Sequence, residues 1–215
     1  MLNARIRNYF VLGDDSLGQK MRVRRWTRLR QEFPDLENMR VLDLGGTTIF
    51  WRRSPVRPRS VTVINLEAPG EGLPWVTPIK GDACYAPDLV GGETFDLVLS
   101  NSLIEHLGGH LQRVRFAEVA RSMAPHYIVQ TPYRYFPIEP HWLFPGHQFL
   151  PLNARVWLAP RWPLGHTHGW PADDARDEVM STELLSLTDM QAYFPDGRVL
   201  WERFMGLPKS LTVVR

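Results

Sequence analysis

Short apolar runs recur along the middle of the chain, each closed by polar or turn-forming residues. Val41-Leu42-Asp43-Leu44 runs into Gly45-Gly46. Val61 to Glu67 follows, then Pro78 to Asp82, Phe95 to Ser100, and His126 to Gln130. Runs of this length read as buried strands. Between the last two, about Gln112 to Met123 carries apolar residues at helical spacing. The connector from Trp51 to Ser60, rich in Arg and Pro, has room for a helical turn only. Strands alternating with helices predict a mainly parallel α/β sheet with helices on both faces.

The flanks read differently. Ser16 to Phe33 is expected to be a helix, stopped by Pro34. Trp26 and Leu29 lie three apart and should face the core. Lys20, Arg22, Arg24, Arg25, Arg28 and Arg30 make its other positions basic; a solvated face is the plain reading, a homodimer contact or an anionic substrate the sharper ones. Residues 131–171 are rich in Pro, His and Trp and read as an ordered, irregular insertion. A loop of that length is usually a lid or binding loop; a packing arm is the alternative. Thereafter Thr188-Asp-Met-Gln191 fits a capping box, opening a short helix that stops at Pro195. Val199 to Phe204 and Ser210 to Val214 read as strands. Their short connection favours an antiparallel hairpin. The whole, 1–215, reads as one domain with an N-terminal helical extension, 1–40, and the insertion 131–171.

Composition adds limits. At 215 residues, 44% hydrophobic and 22% charged, the chain matches an ordinary globular protein. No apolar run reaches membrane-spanning length and no signal-peptide pattern opens the chain, so no membrane partner and a cytoplasmic location are expected. Cys84 is the single cysteine, which excludes an internal disulfide. A net charge of +2 argues little for nucleic acid as partner.

The strand ends carry the chemistry. Asp43 precedes a turn of paired glycines, Glu67 ends the second run and Asp82 the third. Ser100-Asn101-Ser102-Leu-Ile-Glu105-His106-Leu107 follows the fourth. In an open α/β sheet, ligands bind beyond the carboxyl ends of the strands. The dinucleotide fingerprint needs G-x-G-x-x-G, and those glycines are absent, which leaves a nicotinamide oxidoreductase the weaker reading.

These residues resemble the motifs of the class I S-adenosylmethionine-dependent methyltransferases, from about residue 38 onward. Thr131-Pro132-Tyr133-Arg134-Tyr135-Phe136-Pro137 with Glu139-Pro140-His141 resembles a small bacterial O-methyltransferase subgroup, an actinobacterial sugar O-methyltransferase being the expectation. The resemblance implies a Rossmann-like seven-stranded sheet with its last strand antiparallel. It implies S-adenosylmethionine as cofactor, leaving as S-adenosylhomocysteine. Asp43, Gly45 and Gly46 would form the first motif, Glu67 would bind the ribose hydroxyls, and Asp82 with Ala83 would lie by the adenine. Asn101 and Ser102 belong to the fourth. The usual next glycines are replaced by Thr47 and Ile49, so a tighter or differently angled loop is expected.

A hydroxyl acceptor must lose a proton, and histidine is the commonest base for this. The candidates are His141, paired with Glu139, and His106, which is read as either a base or a cofactor contact; a helix-start histidine bonded to backbone is its plain reading. Glu105 reads as structural. Divalent metal at the histidines of the insertion, including His147, His166 and His168, ranks below no metal, since no spacing fits a zinc pattern. Trp142, Trp157, Trp162 and Trp170 with Tyr133 and Tyr135 offer aromatic area for a small polar acceptor, preferably carbohydrate, or else pack the insertion. N- or C-methylation of a metabolite, RNA methylation and cofactor binding without turnover are the rivals.

Overall fold

Val41, Leu42 and Leu44 are fully buried, as a strand covered on both faces requires. They belong to β1, Arg40–Leu44, in a computed structural model that describes residues 17–215, with side chains from residue 23 onward. Ser16, Lys20 and Arg22, named for the first helix, lie outside the described residues or side chains. That helix, α1, spans Leu17–Glu32, and Trp26, Leu29 and Phe33 are buried. Arg24 and Arg30 are exposed.

After β1 come α2 (Thr48–Arg52), β2 (Ser60–Asn65), β3 (Val76–Lys80), a 3-10 turn at Ala83–Tyr85 and α3 (Ala86–Leu89). Then follow β4 (Leu97–Asn101), a 3-10 turn at Ile104–His106, α4 (His110–Ser122) and β5 (His126–Pro132). Three expectations shift. The helix after β1 begins at Thr48, ahead of the expected connector. β2 stops at Asn65, two residues before Glu67, and Asn65 turns its side chain back onto the Gly45-Gly46 turn after β1. β3 stops at Lys80, and Asp82 instead caps the 3-10 turn, its Oδ1 accepting from Cys84 N at 2.8 Å.

Residues 131–171 are more regular than a Pro-rich reading suggests. Thr131 and Pro132 pair with β9, Leu207–Val214. A two-residue hairpin follows, β6 (Ile138–Glu139) with β7 (Phe144–Pro145), then α5 (Leu152–Leu158). α6, Ala172–Ser181, was not anticipated; Asp173 and Asp174 in its first turn were the available signal. The capping box is Ser186 with Asp189, not Thr188 with Gln191. Ser186 has the extended backbone a cap needs, its Oγ accepts from Asp189 N, and Asp189 Oδ2 accepts from Ser186 N at 2.8 Å. α7, Leu187–Tyr193, and β8, Arg198–Phe204, complete the chain with β9.

The sheet order is β3-β2-β1-β4-β5-β9-β8. β3, β2, β1, β4 and β5 pair in parallel; β9 pairs antiparallel with both β5 and β8. The last strand is thus inserted against the others, as expected. Strand order reverses between β1 and β4, and right-handed crossovers send the connections on either side to opposite faces. Phe116, Ala117 and Ala120 of α4, Met190 of α7 and Phe194 just after it share one core with Leu42, Val98, Tyr127 and Val213 of the strands.

The chain divides into two compact units. One comprises residues 35–136 and 181–215 and holds the sheet; the other comprises, among the described residues, 17–34 and 137–180. The second has its own small core of Trp142, Ala159, Ala175 and Val179, flanked by Phe144, Val156 and Trp162.

Candidate active site

In the sheet unit, the carboxyl end of β1 is built around a buried acid. Asp43 is 1% exposed, and its Oδ2 accepts from Trp51 Nε1 at 2.7 Å. Its Oδ1 has no hydrogen-bond partner among the described residues. Burial pushes the carboxyl up to about 7, with the Trp51 bond pulling the other way. The carboxylate lies where a side chain on Gly46 would be: a Cβ there would fall 1.8 Å from Oδ2. Gly45 has φ +84°, and a Cβ on it would meet Leu103, beyond β4, at 2.9 Å. These two positions therefore demand glycine for different reasons, one space and one both space and backbone.

The position two after Gly45, where the usual loop has its second glycine, is occupied by a residue that needs no special backbone. Thr47 has φ −136°, which any residue adopts, and its Oγ1 caps α2 by accepting from Phe50 N. Thr48 ties the loop after β2 to this turn, since its N and Oγ1 both donate to Pro69 O, at 2.8 and 3.0 Å. From the other side, Asn65 Nδ2 donates to Gly45 O and Gly46 O.

Glu67 sits just beyond β2 with an exposed side chain. Asp82 is half-buried beyond β3, with Ala83 buried beside it. Burial, then the Asp82 charge, pushes the thiol of neighbouring Cys84 up to about 12, away from the thiolate form. Beyond β4, Asn101 is half-buried and Ser102 is exposed with φ 53°, an unusual backbone for serine. Two bonds hold it there, Ser102 N to Gln130 O at 2.9 Å and Oγ to Gln130 Oε1 at 3.2 Å.

The loop carrying Glu105 and His106 is clamped by the sheet unit. Glu105 is buried, its Oε2 accepting from Thr131 Oγ1 at 2.9 Å, in keeping with a structural role. Buried Arg113 donates Nε to Ile104 O and pairs through Nη1 with Glu183 at 2.8 Å. His106 is half-buried, with Nδ1 3.2 Å from Thr182 Oγ1. The structure thus brings the carboxyl-end residues of β1, β2, β3 and β4 to one edge of one sheet. A separate cleft, lined by Arg40, Ser60, Gly92, Glu93, Thr94 and Phe95, opens at the opposite end, where β1 and β2 begin, and holds none of this chemistry.

His141 and Glu139 belong to the second unit. Glu139 is 1% exposed, and both its oxygens are engaged: Oε1 with His141 Nδ1 at 2.6 Å, Oε2 with Trp142 N at 2.8 Å. His166 reinforces the turn, its Nδ1 donating to His141 O at 2.9 Å, while Nε2 lies 3.1 Å from Glu178 Oε1. Trp142 is a core residue, 2% exposed, stacked on His147 at 4.4 Å and donating to Thr167 Oγ1. Burial pushes His147 down to about 4, against the opposing pull of Glu139. Trp157 and Trp170 are exposed. Asn65, Thr48, Trp51 and Arg113 carry no motif that marks them in the sequence; Asn65 is visible there only as a polar residue within the run from Val61 to Glu67.

No protein-family model matches the chain, and no curated protein matches it in sequence. Solved structures do match in three dimensions. One is the N-methyltransferase NodS of Bradyrhizobium japonicum WM9 in complex with S-adenosyl-L-homocysteine. It is 11% identical, with 94% of this chain and 88% of that one covered and a TM-score of 0.57. A second is the magnesium protoporphyrin IX methyltransferase of Synechocystis with bound S-adenosylhomocysteine, 13% identical over 99% and 93% of the two chains, TM-score 0.56. A third is an S-adenosylmethionine-dependent methyltransferase of Archaeoglobus fulgidus, 10% identical over 90% and 93%, TM-score 0.52. At such low identity the likeness speaks of architecture, and with the sheet order it establishes that the chain has the Rossmann-like fold of S-adenosylmethionine-dependent methyltransferases.

Proposed function

We propose that this chain is an S-adenosylmethionine-dependent O-methyltransferase acting on a hydroxyl of a small polar acceptor, a sugar or oligosaccharide precursor. The observation that carries the cofactor reading is Asp43. A carboxylate shut from water with one oxygen unpartnered, beneath a glycine turn at the point of strand reversal, suits a ligand with a cationic amino-acid end. The residues present fit that cofactor. Asp43, Gly45 and Gly46 would hold the amino-acid portion, exposed Glu67 would accept from the ribose hydroxyls, Asp82 and Ala83 would flank the adenine, and Asn101 and Ser102 would complete the pocket. When bound, the cofactor supplies an electrophilic methyl group on a sulfonium.

The chain's own part in the reaction is positioning and proton removal. His141 is the best-built base. With Glu139 accepting from Nδ1, the ring is held in the tautomer whose basic nitrogen is Nε2. The Trp142 amide stops the carboxylate from rotating away. His106, held by Thr182, serves the cofactor side instead. The exposed indoles of Trp157 and Trp170 suit stacking on a sugar ring.

A purified-protein assay for S-adenosylhomocysteine formation, over sugars, phenols, amines and RNA, tests this. Turnover on a sugar hydroxyl is expected, and His141→Asn should lower it by about 10²–10⁴-fold while cofactor affinity survives. Transfer to an amine or to RNA would overturn the acceptor class. Binding without product from any acceptor would favour a cofactor-binding protein, and full turnover by His141→Asn would remove His141 as base.

A further inference from the structure

Asn65 ends β2 half-buried, and its short side chain makes three hydrogen bonds. Nδ2 donates to Gly45 O at 3.0 Å and to Gly46 O at 2.9 Å. Oδ1 accepts from Glu67 N at 3.1 Å. Two carbonyls on one side and an N–H on the other define which end of the amide is which. The backbone adds a fourth link, Gly81 N donating to Asn65 O at 2.9 Å. One residue therefore touches the exits of β1, β2 and β3, where Gly45 and Gly46, Glu67 and Asp82 stand.

We infer that Asn65 is the positioning residue of the cofactor pocket, locking the glycine turn and the Glu67 segment into one frame. The inference rests on the reading of these strand ends as the cofactor site. Paired glycines are the backbone with most freedom to lose, so a turn built of them needs an external constraint to be preorganised. Drawing two successive carbonyls to one amide group fixes both peptide planes. Because the peptides are trans, the N–H groups of Gly46 and Thr47 then point away from Asn65. Successive N–H groups on one side form a concavity suited to an anionic group of a ligand. Only an amide does this here. Aspartate lacks the donors and would set a carboxylate against two carbonyl oxygens. Serine is too short to span the turn and Glu67 together.

Calorimetric titration with S-adenosylhomocysteine, alongside thermal unfolding, tests the assignment in wild type, Asn65→Asp and Asn65→Ser. The dissociation constant of Asn65→Asp at pH 8 should rise about tenfold or more relative to wild type, from the loss of two hydrogen bonds. That ratio should shrink as pH falls and the carboxyl, disfavoured as an anion by the two facing carbonyl oxygens, takes up a proton it can donate, whereas Asn65→Ser should show a raised ratio throughout. A role in folding alone would lower the unfolding midpoint and leave the affinity of the folded protein unchanged. Asn65→Ser carries the test if Asn65→Asp does not fold. Equal affinity in wild type and folded variants overturns this inference alone; no binding by wild type overturns the cofactor reading and the inference with it.

Discussion

Asp43 and His147 are both 1% exposed, and burial moves them in opposite directions. The carboxyl of Asp43 is pushed up to about 7 and the imidazole of His147 down to about 4. The cause is the same: loss of water penalises the charged form, which is the carboxylate of one and the imidazolium of the other. Each also keeps one polar atom, Asp43 Oδ1 and His147 Nε2, without a hydrogen-bond partner among the described residues. Their surroundings differ. Asp43 lies under bare backbone at Gly46, at the edge where the fold places ligands. His147 lies among rings, stacked on Trp142 at an interplanar angle of 15°. A buried acid beside open backbone leaves a charge that a ligand could relieve. A buried neutral ring in an aromatic stack is a packing feature, because it leaves one ring nitrogen without a partner but no charge to be relieved.

Titration gives the sharpest separation. The unfolded Asp43 carboxyl loses its proton near 4 and the folded one near 7, so between those values the folded state binds more protons. The stability Asp43 contributes is fully present below about pH 4 and is lost as pH rises to 7, by about 4 kcal/mol as an order of magnitude. Asp43→Asn should remove that fall, and the difference between the two urea-unfolding curves across pH isolates it from other carboxylates. Saturating S-adenosylhomocysteine should flatten the wild-type curve as well; an unchanged curve would mean that no cation reaches Asp43.

Gly46→Ala comes next. The added methyl meets a carboxylate that Trp51 holds in place, so it costs about 1–3 kcal/mol in unfolding free energy and abolishes measurable S-adenosylhomocysteine binding by calorimetry. Retained stability would show that the Asp43–Trp51 pair is free to move aside.

Trp51→Phe deletes the donor to Asp43 Oδ2 at about 1–3 kcal/mol. It should also move the Asp43 carboxyl still higher, since that bond is the influence lowering it. The pH at which stability levels off should rise accordingly in denaturant titrations.

His147→Phe is the smallest change and runs the other way. The unfolded imidazole takes up a proton near 6.5 and the folded one only near 4, so wild-type stability from this site is present above about 6.5 and is lost as pH falls towards 4. A phenyl ring keeps the stack on Trp142 and carries no proton. The variant should match wild type at pH 7 within a few tenths of a kcal/mol and resist acid better. Equal acid sensitivity in calorimetric melts would show that His147 does not titrate with unfolding.

Much of the sheet was legible because buried strands leave an unmistakable print. Val41–Leu44, Val61–Ile64 and Leu97–Ser100 are short, largely apolar runs of strand length, and the short link between the chain's last two runs favoured a hairpin, which the structure closes more tightly still, with only Met205 and Gly206 between β8 and β9. The boundaries were less legible. Glu67 drew attention as the acid after β2, while the strand closes on Asn65, whose role depends on carbonyls twenty residues away. α6 is hard to see because only Ala175 and Val179 are buried in an otherwise charged run, and the capping box lies two residues ahead of the pattern at Thr188 because Ser186 and Thr188 offer the same chemistry.

The sequence by itself determined an α/β sheet, an acid before paired glycines, and acids following the next two strands, since these depend on local pattern alone. Only the tertiary structure decided that the Asp43 carboxylate lies under Gly46 rather than facing water, that Thr47 replaces a glycine by capping α2, and that Glu139 grips both the His141 ring and the Trp142 amide. Each of those contacts joins residues two or three apart, but which of their groups lose water is set by the burial that the packed sheet and the cores around it impose, and that a local pattern does not carry.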